Sequence, residues 1–267
     1  MCLKQKMGIS QMTNIVTTVT DWRAIRASIQ GAVGFVPTMG NLHDGHLALL
    51  QRAKDENHIS VCSIFVNPTQ FDQARDFERY PKTIAEDIAK LQALAIDYVF
   101  LPTPSTMYPD NYEVRIQETN ISKALEGQYR CGHFDGMLTI VLKLFNIICP
   151  TRVYFGEKDY QQLLLIKKML TSLFLPIELV ACTTVRSEEQ LALSSRNSRL
   201  NESQLKLAHY FAQLLRSIDS CDEIRQLLEK VGIKVDYIEE NWGRRLGAIW
   251  IDDVRLIDNV AIEPIKR

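Results

Sequence analysis

"PTMGNLHDGHLALL", residues 37–50, sets the reading of the whole chain. It joins the apolar run "AVGFVPT" to the amphipathic run "HLALLQRAKDEN" through a turn that carries Gly40, His43, Gly45 and His46. A short Val/Phe run followed by apolar residues at helical spacing reads as strand, turn, helix. As the first strand of a doubly wound sheet, it would deliver the turn to the sheet's carboxyl edge, where free N–H groups and the helix dipole attract phosphate. Gly40 and Gly45 let a ligand come close to the backbone. Histidines there can donate hydrogen bonds to a phosphoryl oxygen whose charge grows in the transition state, which needs no covalent bond to the enzyme. The competing structural reading is that His43 and His46 only finish off the helix. Two of the chain's five histidines on one Gly-flanked turn favour the phosphate reading.

The alternation continues outward from this turn. "ISVCSIFVNP", "DYVFLP", "RVYFG" and "IELVACTT" read as strands, with helices in "TIAEDIAKLQALA", "MLTIVLKLFNIIC" and "YQQLLLIKKMLTSL". The strands are nearly continuous in Val, Ile and Phe, as parallel strands covered on both faces should be. The expected fold class is α/β, a Rossmann-like doubly wound parallel sheet over residues 1–184. Beyond it, Asn201 reads as the N-cap of one helix, "DSCDEIRQLLEKVG" as a second, and "VDYIEE" and "AIWIDDVRLID" as two strands. Residues 185–267 therefore predict a smaller α+β domain.

Composition narrows the partners. With 31 Lys+Arg against 32 Asp+Glu, no global field favours nucleic acid or an anionic membrane. The opening "MCLKQKMGISQM" lacks the apolar core of a signal peptide, and no run reaches the roughly 18 apolar residues of a membrane span. A cytoplasmic protein is expected. Its six cysteines, Cys2 among them, are scattered without C-x-x-C pairing and read as reduced thiols.

Three further segments carry candidate site residues, the first at the same edge, the second between a strand and a helix, and the third at the domain junction. "IFVNPTQF" brings Asn67 and Gln70, neutral amides able to bind hydroxyl, carboxylate or amine, although N-P-T-Q is also a good turn sequence. "FGEKDYQQ" sets Lys158 at a helix N-terminus, a poor dipole partner unless an anion sits there too. Asp159 reads as an N-cap or as a water-mediated holder of Mg²⁺, and Gln162 lies one turn along. "LALSSRNSRL" gathers Ser194, Ser195 and Arg196, either a triphosphate clamp or a Ser-rich linker.

The H-x-G-H turn resembles the signature of the class I nucleotidyltransferase and aminoacyl-tRNA synthetase superfamily. Together, "PTMGNLHDGH", "IFVNPTQF", "YPKT", "LEGQYRCGHFDGMLTIVLKLFNIICP", "YFGEKDYQQ", "LSSRN" and "RLIDN" resemble the pantothenate synthetase (pantoate–β-alanine ligase) family over nearly the whole chain. The resemblance implies ATP-dependent condensation of pantoate with β-alanine through a pantoyl adenylate, in the cytoplasm and as a homodimer. It implies an ATP site at Met39, Gly40, His43, His46, Gly156, Glu157, Lys158, Asp159, Val185, Leu193, Ser194, Ser195 and Arg196. His43, His46, Lys158, Arg196 and Mg²⁺ would stabilise the transferring phosphate, and His46 is the family's catalytic histidine. Gln70, Gln162, Asn67 and Tyr80 would meet the substrates, Glu86 and Asp87 the metal, and Glu126 and Arg130 the mouth of the cavity.

The chain departs from the family at "RSEEQLALSSRN", where Gln190 stands for glycine and Leu193 for methionine. Leucine nearly conserves volume, but a positive φ at 190 would be costly for glutamine. The segment between "VDYIEE" and "IWIDDVRLIDN" is shorter than the family's. A nucleotidyl transfer to a phosphorylated substrate would share the histidine turn without needing the neutral amides. A paralogue without turnover would have no need of His43, His46, Lys158 and Arg196 together.

Overall fold

A computed structural model of the chain describes residues 13–72 and 74–262; Cys2 and the start of the chain lie outside them. Six strands form one sheet: β1 (Asn14–Val16), β2 (Val33–Thr38), β3 (Ile59–Ile64), β4 (Tyr98–Phe100), β5 (Arg152–Gly156) and β6 (Glu178–Cys182). Their order is β1-β4-β3-β2-β5-β6 and every pairing is parallel. The helices are α1 (Val19–Ser28), α2 (Asp44–Glu56), α3 (Ala74–Glu78), α4 (Ile84–Ala93), α5 (Pro104–Met107), α6 (Glu126–Tyr129), α7 (His133–Ile148), α8 (Tyr160–Ser172), α9 (Glu202–Leu214) and α10 (Cys221–Lys230).

Period-two alternation splits the strand residues between two cores. Val33, Phe35, Val61, Val153 and Phe155 pack with α7 and α8 on one face, while Val36, Cys62, Ile64, Tyr154 and Val180 pack with Leu49, Leu50 and Leu91 on the other. Both faces are apolar, which explains the near-continuous hydrophobic strands. α7 is buried along most of its length, from His133 to Ile148. β2 pairs with β3 on one side and β5 on the other, so the winding reverses between β2 and β5. That switch point opens the crevice at the carboxyl ends of those two strands.

β7 (Lys234–Asn241), β8 (Arg244–Ile251) and β9 (Val254–Ala261) form an antiparallel sheet covered by α9 and α10 around Phe211, Leu215, Ile224, Leu228 and Ile249. Asn201 caps α9 as expected, in a reciprocal box with Gln204. Two expectations need correction. "AIWIDDVRLID" is not one strand but parts of β8 and β9, reversed at Asp252, whose φ is 52°. The strand at 33–38 is central, but β1 precedes it at the sheet edge. Among the described residues no helix is long and apolar enough to cross a membrane, and the five described cysteines are free.

Candidate active site

The β2–α2 turn is organised by its own histidines. His43 is the N-cap of α2: its Nδ1 accepts from the Gly45 N–H at 3.1 Å, and His46 Nδ1 accepts from the His43 N–H at 3.4 Å. The rings lie 4.0 Å apart between centroids. The capping reading is therefore correct, and it fixes the tautomer of both rings. A ring nitrogen that accepts an N–H carries no proton, so each neutral imidazole holds its proton on Nε2. Burial, then the charge of Lys158, lowers the His43 pKa to about 4; burial, then His43 and Lys158, lowers that of His46 to about 3. At neutral pH both are uncharged Nε2–H donors, and both line a cavity of about 200 Å³. The glycines serve the turn's own geometry: Gly40 has φ 79°, and a Cβ on Gly45 would lie 2.8 Å from the His43 ring.

Asp87 fixes the turn from α4. Its Oδ2 accepts from the Asn41 N–H at 2.8 Å and from Thr83 Oγ1 at 3.1 Å, and its Oδ1 accepts from the Leu42 N–H at 2.7 Å. It is buried, whereas its neighbour Glu86 is exposed. The expected metal pair is thus not assembled, because one carboxylate is occupied by main-chain amides and the other is exposed to solvent. No cluster of three metal-ligating side chains occurs among the described residues.

On the next strand end, Asn67 is also turned to an internal task. Its Nδ2 donates to Gln70 Oε1 and to the Gly136 carbonyl, each at 3.1 Å. Its Oδ1 accepts from Thr69 at 3.1 Å and from the Tyr108 hydroxyl at 2.6 Å. Asn67 does not line the cavity; it orients Gln70, which does. Gln70 Nε2 lies 3.0 Å from Met39 Sδ, and Met39 lines the cavity too.

Beyond β5, a turn of 3₁₀ helix, Glu157–Asp159, leads into α8. Gly156, Lys158, Asp159 and Gln162 line the cavity. Glu157 does not, because its carboxylate is paired with Arg244 of β8 at 2.7 Å. Gly40 likewise shapes the turn without forming the cavity wall. Asp159 occupies the N-cap position of α8 but makes no capping bond, leaving its carboxylate 3.5 Å from Lys158 Nζ. The turn is gripped from β9: Asn259 Nδ2 donates to the carbonyls of Glu157 at 3.0 Å and Lys158 at 2.8 Å.

The remaining wall is the loop that follows β6. Val185, Leu193, Ser194, Ser195 and Arg196 line the cavity, as does Thr184, whose buried hydroxyl has no hydrogen-bond partner among the described residues. Ser195 Oγ donates to the Asn41 carbonyl at 3.1 Å, joining this loop to the histidine turn. Tyr80 completes the wall; burial raises its phenol pKa, and it bonds Ser195. Gln190 has φ 69°, confirming the left-handed backbone expected there, and costs of order 1 kcal/mol. Arg186 spans this strained turn, bonding the Gln190 carbonyl at 3.0 Å and Asp258 bidentately at 2.7 and 2.9 Å.

A second cavity of about 240 Å³ adjoins the first and shares Arg130, Lys158, Asp159, Ser194 and Arg196 with it. Its rim is a ladder of alternating charge: Arg196 to Asp76 at 2.9 Å, Asp76 to Arg199 at 3.6 Å, Arg199 to Asp253 at 3.3 Å, and Asp253 to Arg79 at 3.2 Å. Glu126 is buried at the mouth, bonded by Arg255 at 2.7 Å through both oxygens and by Tyr237 at 2.8 Å. Burial pushes its pKa up, but the Arg255 bonds and charge outweigh that and hold it at about 2. Asp76, Arg255, Asn259 and Thr184 carry no assignment in the sequence reading. "RLIDN", which holds two of them, offered no spacing from which their partners could be inferred.

The pantoate-beta-alanine ligase family model matches residues 11–261. The chain belongs to this family. The ligase is 49% identical over 257 residues to the pantothenate synthetase of Coxiella burnetii, covering 96% of this chain and all of that one. It is 47% identical to that of Legionella pneumophila, over 92% of this chain and 98% of the relative. Among solved structures, the Francisella tularensis pantoate-beta-alanine ligase, complexed with beta-gamma ATP and beta-alanine, superposes with a TM-score of 0.90 at 40% identity, covering 93% and 97% of the two chains. Pantothenate synthetase from Thermus thermophilus gives 0.86 at 38% identity, covering 94% and 100%.

Proposed function

We propose that the ligase condenses pantoate with β-alanine to pantothenate through a pantoyl adenylate, converting ATP to AMP and pyrophosphate. One observation carries this reading: the neutral Nε2–H donors of His43 and His46 share a cavity with Lys158 and Arg196, and with the uncharged amides of Gln70 and Gln162. The cations and imidazoles suit a triphosphate; the amides suit a hydroxy acid and an amine that must not be locked in ion pairs.

A pantoate carboxylate oxygen attacks the α-phosphorus, the bond to the bridging oxygen breaks, and pyrophosphate leaves. His43 and His46 donate to the phosphoryl oxygens as charge gathers, and Lys158 and Arg196 offset the charge of the leaving group. The β-alanine amine, in its free-base form, then attacks the acyl carbon; the C–O bond breaks, AMP leaves, and the amine's proton passes to solvent. No enzyme nucleophile is needed, since holding both substrates in one cavity supplies much of the rate.

Mg²⁺ usually keeps several waters and takes one or two carboxylates plus substrate phosphates. Asp159 is the carboxylate that would hold it, half-exposed on both cavities and free of any capping bond to α8. Bound there through water, the ion would neutralise triphosphate charge. Residues 185–267 act as a lid domain on a nucleotide-binding domain spanning 1–184, and the ligase works as a cytoplasmic homodimer.

The test is a pyrophosphate-release assay with ATP and pantoate, with and without β-alanine, and mass-spectrometric detection of pantothenate. Release with pantoate and product with β-alanine are expected, and replacing His43 and His46 by glutamine should lower kcat by about 10²-fold or more. No pyrophosphate under either condition overturns the reading.

A further inference from the structure

The turn that carries Gln70 (Pro68–Gln70) is docked on the first turn of α7, and the docking is built from both sides. α7 has a glycine at the point of contact: a Cβ on Gly136 would sit 2.2 Å from the Thr69 carbonyl oxygen and 2.7 Å from the Gln70 nitrogen. Asn67 bonds the Gly136 carbonyl at 3.1 Å. The third contact is His133, a buried residue at the edge of the same cavity with no role so far. Its Nδ1 is 2.7 Å from the Gln70 carbonyl oxygen, and its Nε2 is 3.1 Å from Arg130 Nη1.

These two distances determine where the proton sits. A guanidinium only donates, so His133 Nε2 accepts and the ring proton must be on Nδ1, donated to the Gln70 carbonyl. The tautomer is the reverse of that in His43 and His46. Burial, then the charge of Arg130, lowers its pKa to about 3, which keeps the accepting nitrogen available at neutral pH. Lysine or arginine would offer no acceptor to Arg130. Alanine would leave the Gln70 carbonyl and the guanidinium each short of a partner.

We propose that His133 is a positioning residue for the substrate end of the cavity: its Nδ1–H holds the Gln70 backbone while its Nε2 holds Arg130, fixing the amide against the cation at the mouth. The proposal rests on the reading that Gln70 contacts pantoate and β-alanine. His133 acts through Gln70 and Arg130, and its effect belongs to the acid and amine substrates more than to ATP.

His133→Asn keeps a donor in the position of Nδ1 and loses the acceptor for Arg130; His133→Ala loses both. Initial rates with each substrate varied should give H133A a KM for pantoate raised about tenfold with the KM for ATP changed less than about twofold, and H133N should recover most of the loss. In a Gln70→Ala background, H133A should add less than about twofold to the pantoate KM. Equal rises in both KM values without rescue by H133N, or a full additive effect in the Gln70→Ala background, overturn the proposal. Nitrogen-15 NMR of the histidines at pH 7 reads the bond pattern without turnover. Nδ1 protonation at His133 is expected, and an Nε2–H tautomer refutes the proposal even if H133A fails to fold. A wild-type protein that makes no pantothenate would instead sink the ligase reading, leaving the NMR result to judge the His133 arrangement alone.

Discussion

His43 and His46 each spend one ring nitrogen on a main-chain amide, and this fixes what the other nitrogen can do. With pKa values near 4 and 3, neither titrates close to the ordinary histidine value of 6.5. The kcat measured by pyrophosphate release should therefore show no inflection near pH 6.5, and a loss centred there would mean the imidazoles protonate freely. Stability should behave differently. An unfolded histidine binds its proton at about 6.5, whereas the folded ones bind only at about 3 to 4. Between those values the unfolded chain holds more protons, so stability is full above 6.5 and falls as pH drops toward 4. Glu126, held at about 2 against an ordinary 4.5, adds a loss of the same sign further down. Calorimetry at pH 7.5, 6 and 5 should show Tm descending across this window; a flat Tm counts against buried neutral imidazoles. At this scale the histidine turn was legible because its spacing puts both rings on the loop that opens α2 and faces the cavity. Asp87 was placed at the metal only through the family resemblance, and no local pattern showed that the amides of Asn41 and Leu42, 46 and 45 residues away, fill its carboxylate.

α3 is five residues long, yet it controls one of the cations. Asp76 holds Arg196 at 2.9 Å and Arg199 at 3.6 Å, so a phosphate that recruits Arg196 must compete with a carboxylate already there. Both partners are roughly a quarter exposed, which limits the pair to about 1 kcal/mol or less, a factor of about five in binding. Asp76→Asn should accordingly lower the KM for ATP by about two- to fivefold, measured at fixed pantoate; an unchanged or higher KM would show that Asp76 places Arg196 instead of competing for it. The long elements around α3 were readable from periodicity alone. The β8–β9 reversal was not, since a two-residue Asp-Asp turn lacks the glycine that normally marks a tight hairpin. β1, α5 and α6 are three or four residues each, too short for any period to register.

The antiparallel sheet is wired into the parallel one through Arg255 with Glu126, Arg244 with Glu157, and Asn259 with the carbonyls of Glu157 and Lys158. Asn259 is 2% exposed, so its loss strands two acceptors and should cost about 1–3 kcal/mol. Asn259→Ala should raise the KM for ATP about tenfold while leaving that for pantoate within about twofold, because it frees the Lys158 turn and not the Gln70 turn. Equal ATP kinetics in a variant of wild-type stability would show that α8 holds Lys158 unaided. The Asn259 contact also bears on how the protein is made. A ribosome releases Lys158 into solution 101 residues before Asn259, so the parallel sheet can form on a nascent chain whose cavity-lining lysine is still unclamped. Competence to bind nucleotide tightly should arrive late in translation, when β9 emerges and closes its grip.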